Sequence, residues 1–195
     1  MVLLPNGNIL AAGGFGNDGV LASAEVYNPT AGTWAPTGSL ATAREVFQMV
    51  LLPDGNILAA GGVANGGVLA SAEVYNPTAG TWAPTGSLAT ARYDFQMVLL
   101  PNGNILAAGG EGNSVLLASA EVYNPTAGTW APTGSLATAR YEFQMVLLPN
   151  GNILAAGGVD GGPLASAEVY NPTAGTWAPT GSLATARYIF QMSAF

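Results

Sequence analysis

Apolar residues along this chain come in short runs, and a turn signal cuts each run before it reaches helical length. Val46-Phe47-Gln48-Met49-Val50-Leu51-Leu52 is rich in branched and aromatic side chains and ends at Pro53-Asp54-Gly55, which is hairpin chemistry. This is strand A. Asn56 to Ala60 gives strand B and runs into Gly61-Gly62; after a segment bearing Gly and Asn, Ser71-Ala72-Glu73-Val74-Tyr75 gives strand C. A second turn, Asn76-Pro77-Thr78-Ala79-Gly80, leads to strand D, which starts at Thr81-Trp82-Ala83-Pro84-Thr85. Ala89-Thr90-Ala91-Arg92 resembles a turn of helix but falls far short of the roughly 12 residues an isolated helix needs. The pattern predicts an all-β chain.

The same order of strands and turns recurs. Met1, Met49, Met97 and Met145 open the same string at a constant spacing of 48 residues, giving repeats over 1–48, 49–96, 97–144 and 145–191. The fourth repeat is one residue shorter ahead of Pro163, and residues 187–195 begin strand A again as a closing strand. Four short antiparallel strands in a unit of about 40 to 50 residues predict a propeller blade, which buries its two faces only against its neighbours. The 195 residues are therefore expected to form a single propeller domain or propeller segment over 1–195, with four four-stranded antiparallel blades.

Each repeat also carries residues that resemble the kelch motif. In the second repeat these are Gly61-Gly62, Tyr75, Trp82 and Arg92. The same set stands at Gly13-Gly14, Tyr27, Trp34 and Arg44, at Gly109-Gly110, Tyr123, Trp130 and Arg140, and at Gly157-Gly158, Tyr170, Trp177 and Arg187. The resemblance covers the whole chain and implies a kelch-type β-propeller, with strand A innermost and the D-to-A corner near the mouth of the central channel. It implies little about function, because the family spans structural, adaptor and enzymatic members. Kelch repeats often carry a His shortly after the Arg, where this chain has Phe47, Phe95, Phe143 and Phe190, so each blade lacks a polar group at that place.

Composition narrows the chemistry. With no His, Cys or Lys, the imidazole base, the thiolate nucleophile and the Schiff-base amine are all missing, as are imidazole and thiolate metal ligands. The expectation is a protein that is not an enzyme and uses neither cofactor nor metal. The catalytic option left open is a carboxylate pair of the glycosidase kind. A net charge of -7 with only four Arg gives counterion release almost nothing to work with, so nucleic acid and anionic membrane surfaces are poor partners. No apolar stretch approaches the roughly 20 residues of a membrane span. Met1 to Leu4 has no basic segment ahead of it and does not read as a secretory signal.

Glu25, Glu73, Glu121 and Glu168 match Arg44, Arg92, Arg140 and Arg187 one for one. A structural ion pair in each blade, with Glu73 against Arg92, is preferred to a ligand site because buried charges require partners. Gln48, Gln96, Gln144 and Gln191 lie on strand A, where they either ring the channel mouth or satisfy backbone groups; the second reading is preferred. The Tyr and Trp sets read as blade-to-blade packing.

Nine of the 48 columns differ between copies. Six form the cluster Phe15 to Val20 and its counterparts, two form Glu45-Val46, Tyr93-Asp94, Tyr141-Glu142 and Tyr188-Ile189, and the ninth is Asn6, Asp54, Asn102 and Asn150. In an up-and-down sheet the B-to-C and D-to-A connections share one face, so both clusters fall together. That face carries Asp18, Glu45, Asp94, Glu111, Glu142 and Asp160, six of the 11 acids, with Tyr93, Tyr141 and Tyr188. These residues are the candidate set for binding a protein or a glycan, with the Tyr-acid corners converging on the axis. Drift of tolerant loops is the competing explanation, and against it stands the C-to-D turn Asn28-Pro29-Thr30-Ala31-Gly32, a loop identical in all four copies. The preferred function is a non-catalytic binding or scaffolding module. The alternatives are a carbohydrate-active enzyme using loop carboxylates and a structural repeat fragment without its own ligand.

Repeat one begins midway through strand A, whereas Arg187 to Phe195 offers a complete one. This closing segment is expected to pair with the first strand B of a ring and hide both edges. Two chains joined head to tail in an eight-blade homodimer is the leading arrangement, ahead of a four-blade monomer or a piece of a longer array.

Overall fold

In the computed structural model, which describes residues 1–193, the strands fall where the turn chemistry stops them. The first repeat contributes β1 (Val2–Leu3), β2 (Ile9–Ala12), β3 (Phe15–Gly16), β4 (Gly19–Val20), β5 (Ala24–Asn28) and β6 (Thr33–Thr37). The second contributes β7 (Gln48–Leu51), β8 (Ile57–Ala60), β9 (Val63–Ala64), β10 (Gly67–Val68), β11 (Ala72–Asn76) and β12 (Thr81–Thr85). In the third are β13 (Gln96–Leu99), β14 (Ile105–Ala108), β15 (Glu111–Gly112), β16 (Val115–Leu116), β17 (Ala120–Asn124) and β18 (Thr129–Thr133). The fourth holds β19 (Gln144–Leu147), β20 (Ile153–Ala156), β21 (Ala167–Asn171) and β22 (Thr176–Thr180). Strands A to D of each repeat make one antiparallel sheet, β1-β2-β5-β6 and its three counterparts, and no helix occurs among the described residues. The chain is an all-β array of four blades. Unforeseen are the two-stranded ribbons β3–β4, β9–β10 and β15–β16, which rise from the B-to-C loops. In the shorter fourth repeat the ribbon shrinks to the bridge Val159–Pro163.

Side-chain oxygens set the turns. Oδ1 of Asn6, Asp54, Asn102 and Asn150 accepts the amide two residues on at 3.0–3.1 Å. An amide oxygen and a carboxylate oxygen do this equally well, so the column varies between Asn and Asp without changing the hairpin. In the C-to-D turn, Asn28 Oδ1 accepts the amides of Thr30 and Ala31 at 2.9 and 3.1 Å, and Gly32, at φ +67°, closes the turn. That geometry is reason enough for the turn to stay constant, so its constancy does not weigh against drift in the other loops.

A single sheet has two faces and no interior, so the core lies between blades. Leu10 and Ala24 of blade one pack with Ile57 and Tyr75 of blade two. Leu58 and Phe95 of blade two meet Ile105 and Tyr123, and Leu106 and Phe143 of blade three meet Ile153 and Tyr170. Each strand C Tyr ring lies 5.0–5.1 Å from the strand D Trp beside it. The hydroxyls of Tyr75, Tyr123 and Tyr170 then reach the preceding blade, each 2.7 Å from the hydroxyl of Thr37, Thr85 or Thr133. The aromatic sets pack blade to blade, as expected.

The repeated charges also join blades, and here the expected partners are corrected. Glu73 pairs with Arg44 of the preceding blade, not with Arg92 of its own repeat; the pairs are Arg44–Glu73 at 2.9 Å, Arg92–Glu121 at 3.0 Å and Arg140–Glu168 at 2.9 Å. All six side chains are buried. Arg44 Nη1 donates to the carbonyl oxygens of Gly61 and Ser71 at 2.8 and 3.0 Å, and Nη2 to Ser71 Oγ at 3.2 Å. The amides of Ala41 and Thr42 donate to the Glu73 carboxylate at 2.7 and 3.1 Å. One socket, formed by Gly61, Ser71 and Glu73, thus holds the corner of the blade before it.

At the ends of the array the joint is left half made. Glu25 and Arg187 are exposed. The closing segment keeps its corner, with the Gly158 amide donating to the Arg187 carbonyl at 2.9 Å and the Ile189 amide to that of Glu142 at 3.1 Å. Residues 190–193 form no strand, and Ala194 and Phe195 lie outside the described residues. The expected pairing with strand B is not made within the chain: β2 is bonded to β1 and β5 instead. A strand A needs the strand B of its own blade beside it, and no fifth blade follows in these residues.

Candidate functional site

The two variable clusters are hydrogen-bonded to each other. Glu45 exchanges backbone bonds of 2.9 and 2.8 Å with Val63 in β9 of the next blade, and Tyr93 exchanges two of 2.9 Å with Glu111 in β15. Tyr141 does the same with Val159 at 3.4 and 3.0 Å. The first three D-to-A corners are therefore stapled to the B-to-C segment of the following blade, and differences in the two clusters meet across each of the three joints.

The second corner residue turns away from the ribbon. Val46, Asp94, Glu142 and Ile189 all adopt left-handed backbone, with φ of 49–51°. Asp tolerates this region, whereas a β-branched Val or Ile there is strained by about 1–2 kcal/mol. The corners are chained together: the Glu142 amide donates to the Asp94 carbonyl at 3.3 Å, and the Ile189 amide to the Glu142 carbonyl. The innermost strands β1, β7, β13 and β19 stand side by side in that order, which confirms strand A at the axis. Asp94, Glu142 and Ile189 share a cavity of about 230 Å³ with Gln48, Gln96 and Gln144 of those strands. The glutamines therefore line the mouth, the reading that the sequence ranked second.

The electrostatics are one-sided. Burial pushes the Asp94 carboxyl above its ordinary range, and the charges of Glu142 and Glu111 push it further. The Tyr93 hydroxyl is pushed up to about 12, by burial first and then by Glu111, with smaller effects from Asp94 and Tyr141. Tyr141 is raised as well, by desolvation first and then by Glu142, Glu111 and Asp94. Arg44, Arg92 and Arg140 are sealed inside the joints and give this field no counterweight at the surface.

Six of the nine predicted site residues thus feel one another: Tyr93, Asp94, Glu111, Tyr141, Glu142 and, through Tyr141, Tyr188. Asp94 and Glu142 both face the cavity at the inner end of the blades. Tyr93 and Tyr141 do not line the mouth; as the first residues of their corners they lie along the ribbons. Glu45 occupies the corresponding corner of blade one, half-buried, and Tyr188 that of blade four, exposed. Asp18 and Asp160 are exposed in the B-to-C loops and take no part in the mouth. Ile189, Phe95, Phe143 and the three glutamines complete it, and the shared repeat columns are the signal that could have found them. On the opposite face, clefts such as the one between Pro5, Asp54 and Pro77 recur at each joint from the same turn residues.

The family model described as "Kelch motif" matches residues 2–40, 50–88, 98–136 and 146–183. No curated protein matches the chain. Among solved structures, one titled "Structure of YjhT" is similar with a TM-score of 0.76 and 13% identity, over 95% of this chain and 65% of that one. The chain spans about 65% of that protein's length, and the likeness is one of fold.

Proposed function

The chain belongs to the kelch-repeat β-propeller family, and from that premise we propose that it is a non-catalytic binding or scaffolding module whose ligand docks at the mouth of the axis, on the B-to-C and D-to-A face. The ligand is a positively charged stretch of a protein. The observation that carries this reading is the cluster Asp94, Glu111 and Glu142 with no cation beside it at the surface: burial first, and then the charges of Glu142 and Glu111, raise Asp94, and a cation would relieve the repulsive part. Tyr93 and Tyr141 stand on the neighbouring ribbons, within the field of the same carboxylates. At about 230 Å³ the cavity is smaller than the roughly 300–1,000 Å³ of pockets that enclose small molecules, so it suits the tip of a side chain from an extended segment.

A second reading draws on the same pair. A carboxyl of raised proton affinity with a second carboxyl close by is the arrangement a glycosidase pair requires. It ranks below binding because the equivalent corners of blades one and four hold Val46 and Ile189, and because the cavity is too small to enclose a sugar chain.

The test is a screen of the purified chain against basic peptides, a glycan array and chromogenic glycosides, repeated with Asp94→Asn/Glu142→Gln. We expect salt-sensitive capture of basic peptides, weakened about tenfold or more in the double variant with no loss of thermal stability. Salt-insensitive sugar capture lost in Tyr93→Ala/Tyr141→Ala would make the ligand a glycan. Glycoside turnover abolished by Asp94→Asn would overturn the non-catalytic reading.

A further inference from the structure

The two bare faces of the array are the two halves of the joint that the chain makes three times internally. On blade one, Gly13, Ser23 and Glu25 occupy the positions of the Gly61, Ser71 and Glu73 socket, and they line an open cavity of about 380 Å³ together with Met1. Glu25 is exposed, where Glu73, Glu121 and Glu168 are buried. On blade four, Arg187 is exposed, and among the described residues its side chain donates one hydrogen bond, from Nε to the Thr185 carbonyl at 3.3 Å.

The fit extends beyond the charges. A Cβ on Gly62 or Gly110 would lie 2.5 Å from the Glu45 or Tyr93 carbonyl of the preceding corner, whereas Gly14 has open space at that place. The residue after it, Phe15, is 71% exposed, and Tyr188, which holds the place of Tyr93 at the last corner, is 46% exposed. Tyr93 staples to Glu111, the counterpart of Phe15, so Tyr188 and Phe15 are the missing staple. Thr180 is exposed at the end of β22, where Thr133 meets the Tyr170 hydroxyl, and Tyr27 on blade one is the unused hydroxyl of that pair.

We propose that these faces are filled by a second copy of the chain, head to tail, with Arg187 of one copy seated against Glu25, Ser23 and Gly13 of the other. The occupant is specified by charge complementarity and by continuity with three joints already built from the same residues.

The test uses the whole 195-residue chain and two variants, Glu25→Lys and Arg187→Glu, each altered at an exposed residue of one half-joint. Light scattering at about 10 µM should give the mass of two chains for the unaltered protein. In each variant alone the dissociation constant should rise about a hundredfold or more, because every joint then meets an unpartnered charge. Mixing the variants should restore a one-to-one complex, since the intact Arg187 of one meets the intact Glu25 of the other. A monomeric unaltered chain, variants that associate as well as it does, or a mixture that stays monomeric would each overturn the proposal. The melting of each variant at high dilution, unchanged from that of the unaltered chain, shows that folding is intact.

Discussion

The Asp94 carboxyl binds its proton more tightly in the folded chain than in an unfolded one, first because the corner buries it and then because Glu142 and Glu111 lie near. The folded state therefore holds more protons than the unfolded state as pH rises from the ordinary value of 3.8 to the raised one, and stability falls across that window. The stability is intact below the ordinary value and reduced above the raised one. Asp94→Asn should raise the thermal midpoint at pH 7, with the gain shrinking as pH falls through the raised value and gone once pH is below about 4. Melting curves at both pH values decide it, and a gain independent of pH would mean that Asn fits the left-handed backbone better and nothing more. The sequence made this column visible only as one that varies. Val46 and Ile189 are residues that propensity alone would keep out of a positive φ, so the corner's geometry could not be read before the backbone was known.

At the scale of elements, the joint between blades is the unit of stability. Burial pulls the Arg44 and Arg92 guanidinium groups below their ordinary value, and the partner glutamates counter it in part. Glu121→Gln should cost about 3–5 kcal/mol in urea unfolding, because Arg92 then stays buried without its carboxylate. Glu25→Gln, at the same column on a bare face, should change the stability of the dilute chain by no more than about 0.5 kcal/mol. Equal costs at the two positions would refute the inter-blade account. That Glu and Arg pair was legible in their one-for-one recurrence. Which Glu meets which Arg was not, since copies this alike make a partner in the same blade and one in the next indistinguishable by spacing. The ribbons β3–β4, β9–β10 and β15–β16 escaped for another reason: two residues per strand, drawn from the columns that differ, are too few to show alternation.

For the whole molecule, four blades share three joints, so the end blades lack one each. Trp34 of blade one is 48% exposed, whereas Trp82 and Trp130 are half-buried under a neighbour. Backbone amides of β2 and β5 should therefore exchange with deuterium before those of β8, β11, β14 and β17, as an array stabilised by nearest neighbours frays from its ends. Peptide-resolved exchange of the dilute chain measures this, and uniform protection across all blades would contradict it. The four-blade all-β architecture was the most legible feature, because a period of 48 residues restates the same strand evidence four times. The shared face of the variable loops was legible from strand direction alone. The field at the mouth was not, because it depends on which corners curl toward the axis.

Every joint in the array is the same joint, and this bears on how such a chain changes in number. Cutting out or copying in 48 residues at any phase brings together an Arg and a socket that the protein already knows how to combine. Unequal exchange between the repeated stretches of its coding sequence would then lengthen or shorten the array without requiring a new surface to arise. The corner pairs Glu45-Val46, Tyr93-Asp94, Tyr141-Glu142 and Tyr188-Ile189 would travel with their blades, so the order of charges around the axis is open to shuffling while the frame beneath it stays fixed.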